Sequence, residues 1–146
     1  MTLRITALTT VAVVSCWLNL ARAEEAKAGM LTVVATGFPT DAGHVLVQLA
    51  SSEADYDEDD QAFRAAAVKI DGTKATIVFA DVPYGDYAVK LFQDKDDNQK
   101  LDIGLMGPKE PYGFSNNVMG TFGPPAWDKA KFRMAQPELT IQIDTK

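Results

Sequence analysis

Residues 81–117 read DVPYGDYAVKLFQDKDDNQKLDIGLMGPKEPYGFSNN, and the rest of the chain is understood from this stretch. It opens with a turn. Pro83, Tyr84, Gly85 and Asp86 carry turn chemistry, because proline presets one backbone angle and glycine accepts conformations that other residues avoid. From Tyr87 the side chains alternate, with Tyr87, Val89 and Leu91 opposing Ala88, Lys90 and Phe92. That is the period of a pleated strand with one face in a core. An acidic loop follows, and then a segment rich in Gly, Pro, aromatics and amides. A strand that hands its loop to a fixed place is a good way to build a binding site.

Outward from this stretch the same alternation recurs. Leu31, Val33 and Ala35 alternate with Thr32, Val34 and Thr36, and beyond the turn residues of 37–43 come Val45, Val47 and Leu49. Residues 51–60 (SSEADYDEDD) hold six acids and read as a solvated loop, with Ser52 placed to cap a short helical turn. Phe63 and residues 65–70 return to strand. Asp71-Gly72 is a hairpin signal, since both positions tolerate the positive φ of such turns, and Ala75, Ile77 and Phe79 alternate beyond it. Residues 130–134 and 139–143 close the chain, with Leu139, Ile141 and Ile143 in clear alternation. The pattern predicts an all-β fold, a single antiparallel β-sandwich of about seven strands with no second domain.

The N-terminus reads differently. Arg4 makes a short basic start, residues 5–20 are almost entirely apolar or small, and Ala21-Arg22-Ala23 is a cleavage pattern followed by Glu24-Glu25. Sixteen residues are short for a membrane span. Residues 1–23 are therefore expected to be a signal peptide and 24–29 a mobile leader, with the domain over 30–146 exported to the periplasm or beyond. The competing reading makes Cys16, the only cysteine, a lipidated N-terminus after Val13-Val14-Ser15. Cleavage after Ala23 leaves no cysteine, which excludes a disulfide and thiolate metal sites. It also leaves 12 basic against 20 acidic side chains, a formal charge of −8. Such a field repels nucleic acid and favours cations and basic partners. No transmembrane span is expected in the mature chain.

The acidic loop carries side-chain oxygens at Asp94, Asp96, Asn98 and Asp102, with Lys100 where an EF-hand-type loop uses a backbone carbonyl. Ca²⁺ takes about six to eight oxygens, and a tightly wound loop aims alternate residues inward. Two departures stand out. Gln99 occupies the place of the turn-forming glycine, and Leu105 that of the bidentate carboxylate, which then has to come from Glu110 or Asp97. The plain alternative is a solvated hairpin loop whose Asp and Asn side chains bond their own backbone.

Residues 106–117 form a loop expected to pack over one end of the sandwich. Tyr112 and Phe114 either cap the core or face outward as a stacking platform. In the second case Glu110, Ser115, Asn116 and Asn117 supply polar contacts to a protein or glycan ligand of the envelope. Trp127 reads as a core plug. Gly113-Phe114-Ser115-Asn116-Asn117 lacks the second glycine of a nucleophile elbow, and His44, the sole histidine, lies far away in sequence. Zinc has one histidine to bind and no mature thiolate.

Four motifs together resemble a known family: FADVPYGDYAV at 79–89, Asp94-x-Asp96-x-Asn98-x-Lys100-Leu101-Asp102, GPKEPYGFSNN at 107–117, and Pro124-Pro125-x-Trp127-x-x-Ala130. The combination resembles the bacterial domain of unknown function 2141 over 30–143, with Gln99 standing for an expected Gly and Trp127 for an expected Phe. The resemblance implies export and a transthyretin-like (prealbumin-like) β-sandwich, within the broader Ig-like class, and brings no activity with it. The expected function is thus an exported, non-enzymatic module with a Ca²⁺-binding loop beside an aromatic–amide loop. The alternative is a small envelope hydrolase or glycan-active protein using loop carboxylates such as Asp102 and Glu110.

Overall fold

Alternation sets the strands, and the turns between them decide which sheet each strand joins. The structure is a computed structural model that describes residues 27–58 and 61–146. The signal-peptide and Cys16 readings lie outside the described residues. In chain order the strands are β1 (Ala28–Thr36), β2 (His44–Ala50), β3 (Arg64–Val68), β4 (Lys74–Pro83) and β5 (Gly85–Asp94). Then follow β6 (Ile103–Gly104), β7 (Gly107–Pro108), β8 (Tyr112–Phe114), β9 (Phe132–Met134) and β10 (Glu138–Asp144). Two short helices, α1 (Glu53–Asp57) and α2 (Trp127–Ala130), complete the set. No helix of the described residues is long and apolar enough to cross a membrane.

One sheet has the order β10-β1-β4, and the other β3-β2-β5-β8 with β9 also on β5. They bury their facing sides in a common core. Leu31, Val33 and Ala35 of β1 and Ile77 of β4 meet Val45, Val47 and Leu49 of β2 and Val89 and Leu91 of β5, all within 3 % exposure. Each buried Val, Leu or Ile among them contributes roughly 1.5–3 kcal/mol, which makes this shared face the main source of stability.

Several expectations are corrected. The all-β fold holds, but it is not wholly antiparallel: β10 runs parallel to β1, pairing Leu31 with Leu139 and Ala35 with Ile143. Alternation fixes which face of a strand is buried and is silent on the direction of its neighbour. The strand expected from Met30 begins at Ala28, so the last residues of the 24–29 leader belong to the ladder opposite Val82 and Pro83. Gly29 permits this, because a Cβ there would lie 2.6 Å from the carbonyl oxygens of Gln136 and Pro137.

Asp71-Gly72 does form a turn, closed by Asp71 N donating to Lys74 O at 2.8 Å and Lys74 N to Asp71 O at 3.1 Å. The strands it joins lie in different sheets, so it makes a corner between layers and not a ladder hairpin. Tyr84 makes a second corner between β4 and β5, held by the Tyr87 hydroxyl donating to Pro83 O at 2.9 Å. The strands β6, β7 and β8 have only two or three residues each, too few to show a period in sequence.

Residues 51–58 are more ordered than a solvated loop. Ser52 accepts from Asp55 N at 3.1 Å and caps α1, which turns Tyr56 inward. Tyr56 packs with Ala50, Ala88, Phe114 and Ala130 in a second apolar cluster, and its ring meets Trp127 edge-on at 5.9 Å. Ala130, expected to start a strand, ends α2 instead, because Trp127 and Ala130 on one helical turn cover this cluster together. Burial, with Asp57 adding to it, pushes the Tyr56 hydroxyl up to about 12.

Candidate cation site

β5 ends by delivering two polar side chains to opposite faces. Gln93 points into the core beneath residues 37–43, donating to Ala42 O at 2.8 Å and Thr40 O at 3.1 Å. Gly43 closes this contact at φ +70°, where a Cβ would lie 1.8 Å from Asp94 O. Asp94 points the other way and is nevertheless only 2 % exposed, because residues 95–102 wrap over it.

The wrapping is done by backbone amides. One Asp94 oxygen accepts from Asn98 N at 3.1 Å and the other from Gln99 N at 2.8 Å. Asp96 and Asn98 add two-residue side-chain turns, accepting from Asn98 N at 3.3 Å and from Lys100 N at 2.7 Å. Asp97 and Gln99 take φ of +57° and +62°. Gln99 thus performs the turn at the place of the expected glycine, at a cost on the order of 1 kcal/mol. The side chain of Lys100 is exposed.

A further carboxylate, that of Glu110, comes back beside the loop. Its two oxygens accept from Lys95 N at 2.8 Å and Asp102 N at 3.1 Å, and the residue is 6 % exposed. One oxygen each of Asp94, Asp96 and Glu110 lies within 4.8 Å of the others. Asp97, the other residue considered for that role, turns instead to His44 Nδ1 at 2.7 Å. The Asn98 side-chain amide donates to Asp96 and Asp102, both at 3.1 Å, so these two carboxylates face a common point as well.

Three carboxylates this close repel. Among the described residues no Lys, Arg or His forms an ion pair with Asp94, Asp96 or Glu110. The backbone N–H groups offset part of the repulsion and leave further lone pairs facing inward. The oxygen-only donor set, two members of it nearly buried, matches what a hard divalent cation takes and a thiophilic metal does not.

The aromatic–amide segment divides. Glu110 joins the acidic loop, whereas β8 runs antiparallel along β5 and carries residues 115–117 away from Asp94 by roughly 15 Å. Phe114 is buried, and Tyr112 is half-buried against it with rings 5.9 Å apart. Ser115 is buried, accepting from Val89 N at 2.9 Å and donating to Ala130 O at 2.6 Å. Asn116 donates to Lys129 O and Lys131 O at the end of α2, both at 2.9 Å. Asn117 accepts from Asp144 N at 2.8 Å and donates to Gln142 O, replacing a strand at the edge of β10. These side chains bond within the fold.

Sequence reasoning missed the surface beside the acidic loop. On the outward face of the second sheet, Leu46, Phe92, Tyr112, Leu101, Ile103 and Pro124 line a cavity of about 640 Å³. A neighbouring hollow of about 610 Å³ shares Leu46, Gln48, Phe92 and Gln99 with it and reaches His44 and Asp97. The only sequence signal was the presence of Leu46 and Phe92 at the outward positions of two alternating strands.

The chain belongs to the family described as uncharacterized protein conserved in bacteria (DUF2141), whose model matches residues 33–142. Among curated proteins nothing matches the chain, and among solved structures nothing does either.

Proposed function

We propose that this protein is an exported, non-enzymatic β-sandwich module of the bacterial envelope, of transthyretin-like type, whose loop 94–102 binds Ca²⁺ with Glu110 completing the ligand set. The observation that carries this reading is the convergence of Asp94, Asp96 and Glu110 oxygens within 4.8 Å. Asp102 stands beside them across the Asn98 side-chain amide, whose oxygen joins the set once the amide turns over, raising the oxygen count toward the six to eight that calcium prefers. The two-sheet core supports the sandwich, and the basic start, apolar run and small-residue exit of residues 1–23 support export. In this reading the cation neutralises the buried carboxylates and locks the end of β5, so that it stabilises the folded state by mass action.

Calorimetric titration of Ca²⁺ into chelator-stripped protein tests the reading. The expected result is saturable binding of one cation with a rise in melting temperature, lost in the Glu110→Gln variant. No heat and no change in melting temperature at millimolar calcium would refute it.

A further inference from the structure

Two connections break the rule that loops are polar. From Ile103 to Trp127 the only charged residues are Lys109 and Glu110, and Glu110 is buried, in a chain with 20 acidic and 14 basic side chains. The β6–β7 hairpin turns through Leu105 and Met106, where turn chemistry favours Asn, Asp and Gly. Both side chains are fully exposed, and Ile103 before them is 65 % exposed. The second connection makes its own tight turn, since a Cβ on Gly120 would lie 1.9 Å from Gly123 O, and it carries the fully exposed Phe122. Ile103 and Pro124 line one cavity, so the two loops meet on one side of the molecule. Among the described residues eight large apolar side chains are exposed, and five of them, Ile103, Leu105, Met106, Met119 and Phe122, fall on these two loops. They are gathered, not scattered.

Shape and charge select what these tips meet. Leu105, Met106 and Phe122 project as knobs with no protein surface against them. A folded partner would need a matching socket for each, whereas the headgroup and acyl boundary of a bilayer yields around an apolar side chain. Segment 94–110, which holds the whole acidic loop and the hairpin, has five acids and three lysines, a net charge of −2. Lys109 N donates to Asp102 O at 2.8 Å and ties the base of the hairpin to that loop. An anionic bilayer repels the segment as it stands. A divalent cation between Asp94, Asp96 and Glu110 brings its net charge to zero, and leaves the exposed Lys95, Lys100 and Lys109 free of that barrier to meet lipid phosphates.

We propose that the Leu105–Met106 and Phe122 tips dock on an anionic lipid bilayer when the neighbouring carboxylates hold calcium, the three side chains entering the headgroup layer. The calcium dependence rests on the cation-binding reading above. Calcium heat without vesicle binding refutes this inference alone, and the absence of both refutes that reading together with it.

The test is sedimentation of the protein with vesicles of phosphatidylethanolamine and phosphatidylglycerol, in millimolar calcium and in chelator. Binding in calcium is expected to be at least about tenfold stronger than in chelator. The double variant Leu105→Glu, Met106→Glu and the single variant Phe122→Glu should each weaken it about tenfold or more. Melting temperature and calcium heat should stay unchanged in both, since none of these side chains packs in the fold. Phe122→Trp should add an emission that shifts to the blue on vesicles, over the signal of the native protein. No sedimentation in calcium would overturn the proposal, as would equal sedimentation in chelator or sedimentation that both tip variants leave unchanged. A dimer in vesicle-free solution that the tip variants dissolve would give the tips to a second copy and overturn it too.

Discussion

Two stretches of this chain look alike in composition and fold into opposite arrangements. Residues 53–58 carry Glu53, Asp55, Asp57 and Glu58 around Tyr56; residues 94–102 carry Asp94, Asp96, Asp97 and Asp102 around Asn98. In the first, the apolar ring is buried and the acids stay at the surface, with Asp55 held by the Ser51 hydroxyl at 2.7 Å. In the second, Asp94 is buried and a distant Glu110 is buried beside it, their four oxygens each fixed by a backbone N–H. The density of acids does not separate the two. What separates them is whether the chain has an apolar side chain to bury, as at Tyr56, or turns its amides inward around a carboxylate.

The sharpest way to break the comparison is Asp94→Ala. It leaves the amides of Asn98 and Gln99 without their acceptor inside a covered loop, and a loss of about 2–4 kcal/mol is expected in urea unfolding. A loss no greater than that of Asp55→Ala would erase the distinction between the two segments.

The second test uses alkaline pH. The folded Tyr56 hydroxyl is pushed up to about 12 by burial and by Asp57, while the unfolded chain titrates near 10.0. Between these values the unfolded state releases its proton first, so stability is whole below about 10 and falls as pH rises. The fall reaches about 2–3 kcal/mol over that window. Denaturant midpoints measured across it should decline in the native protein and stay flatter in Tyr56→Phe.

Smaller effects sharpen the contrast. Gln99→Gly removes a side chain from a residue at φ +62° and should raise stability by up to about 1 kcal/mol, read as a higher melting temperature. The least effect belongs to Asp55, whose carboxyl is held below its ordinary value of 3.8 first by the Ser51 hydroxyl, then by the Ser51 amide and the Ser52 hydroxyl. Its contribution is present above that ordinary value and fades as pH falls through the lowered one. Ser51→Ala should remove most of this acid dependence from the unfolding midpoint.

The core was legible because alternation speaks directly about faces. Val33, Ile77, Val47 and Val89 each fall on one side of an alternating run, and each is buried. Direction and pairing were not legible, since they depend on where a strand meets a partner remote in sequence. So the parallel β10 escaped, and the Asp71-Gly72 turn was foreseen with the wrong role. The same limit governs the surface. The oxygens of 94–102 could be read from spacing, but the arrival of Glu110 depends on the β6–β7 hairpin bringing it back under Lys95 and Asp102. The outward row of Leu46, Phe92 and Tyr112 exists only once three strands are in register.

A crystal structure grown in millimolar calcium tests the central claim most directly. The account predicts an anomalous peak within about 2.3–2.6 Å of oxygens from Asp94, Asp96 and Glu110, with the Asn98 amide no longer bridging Asp96 and Asp102. No peak among those three carboxylates, with the Asn98 bridge intact, would contradict it.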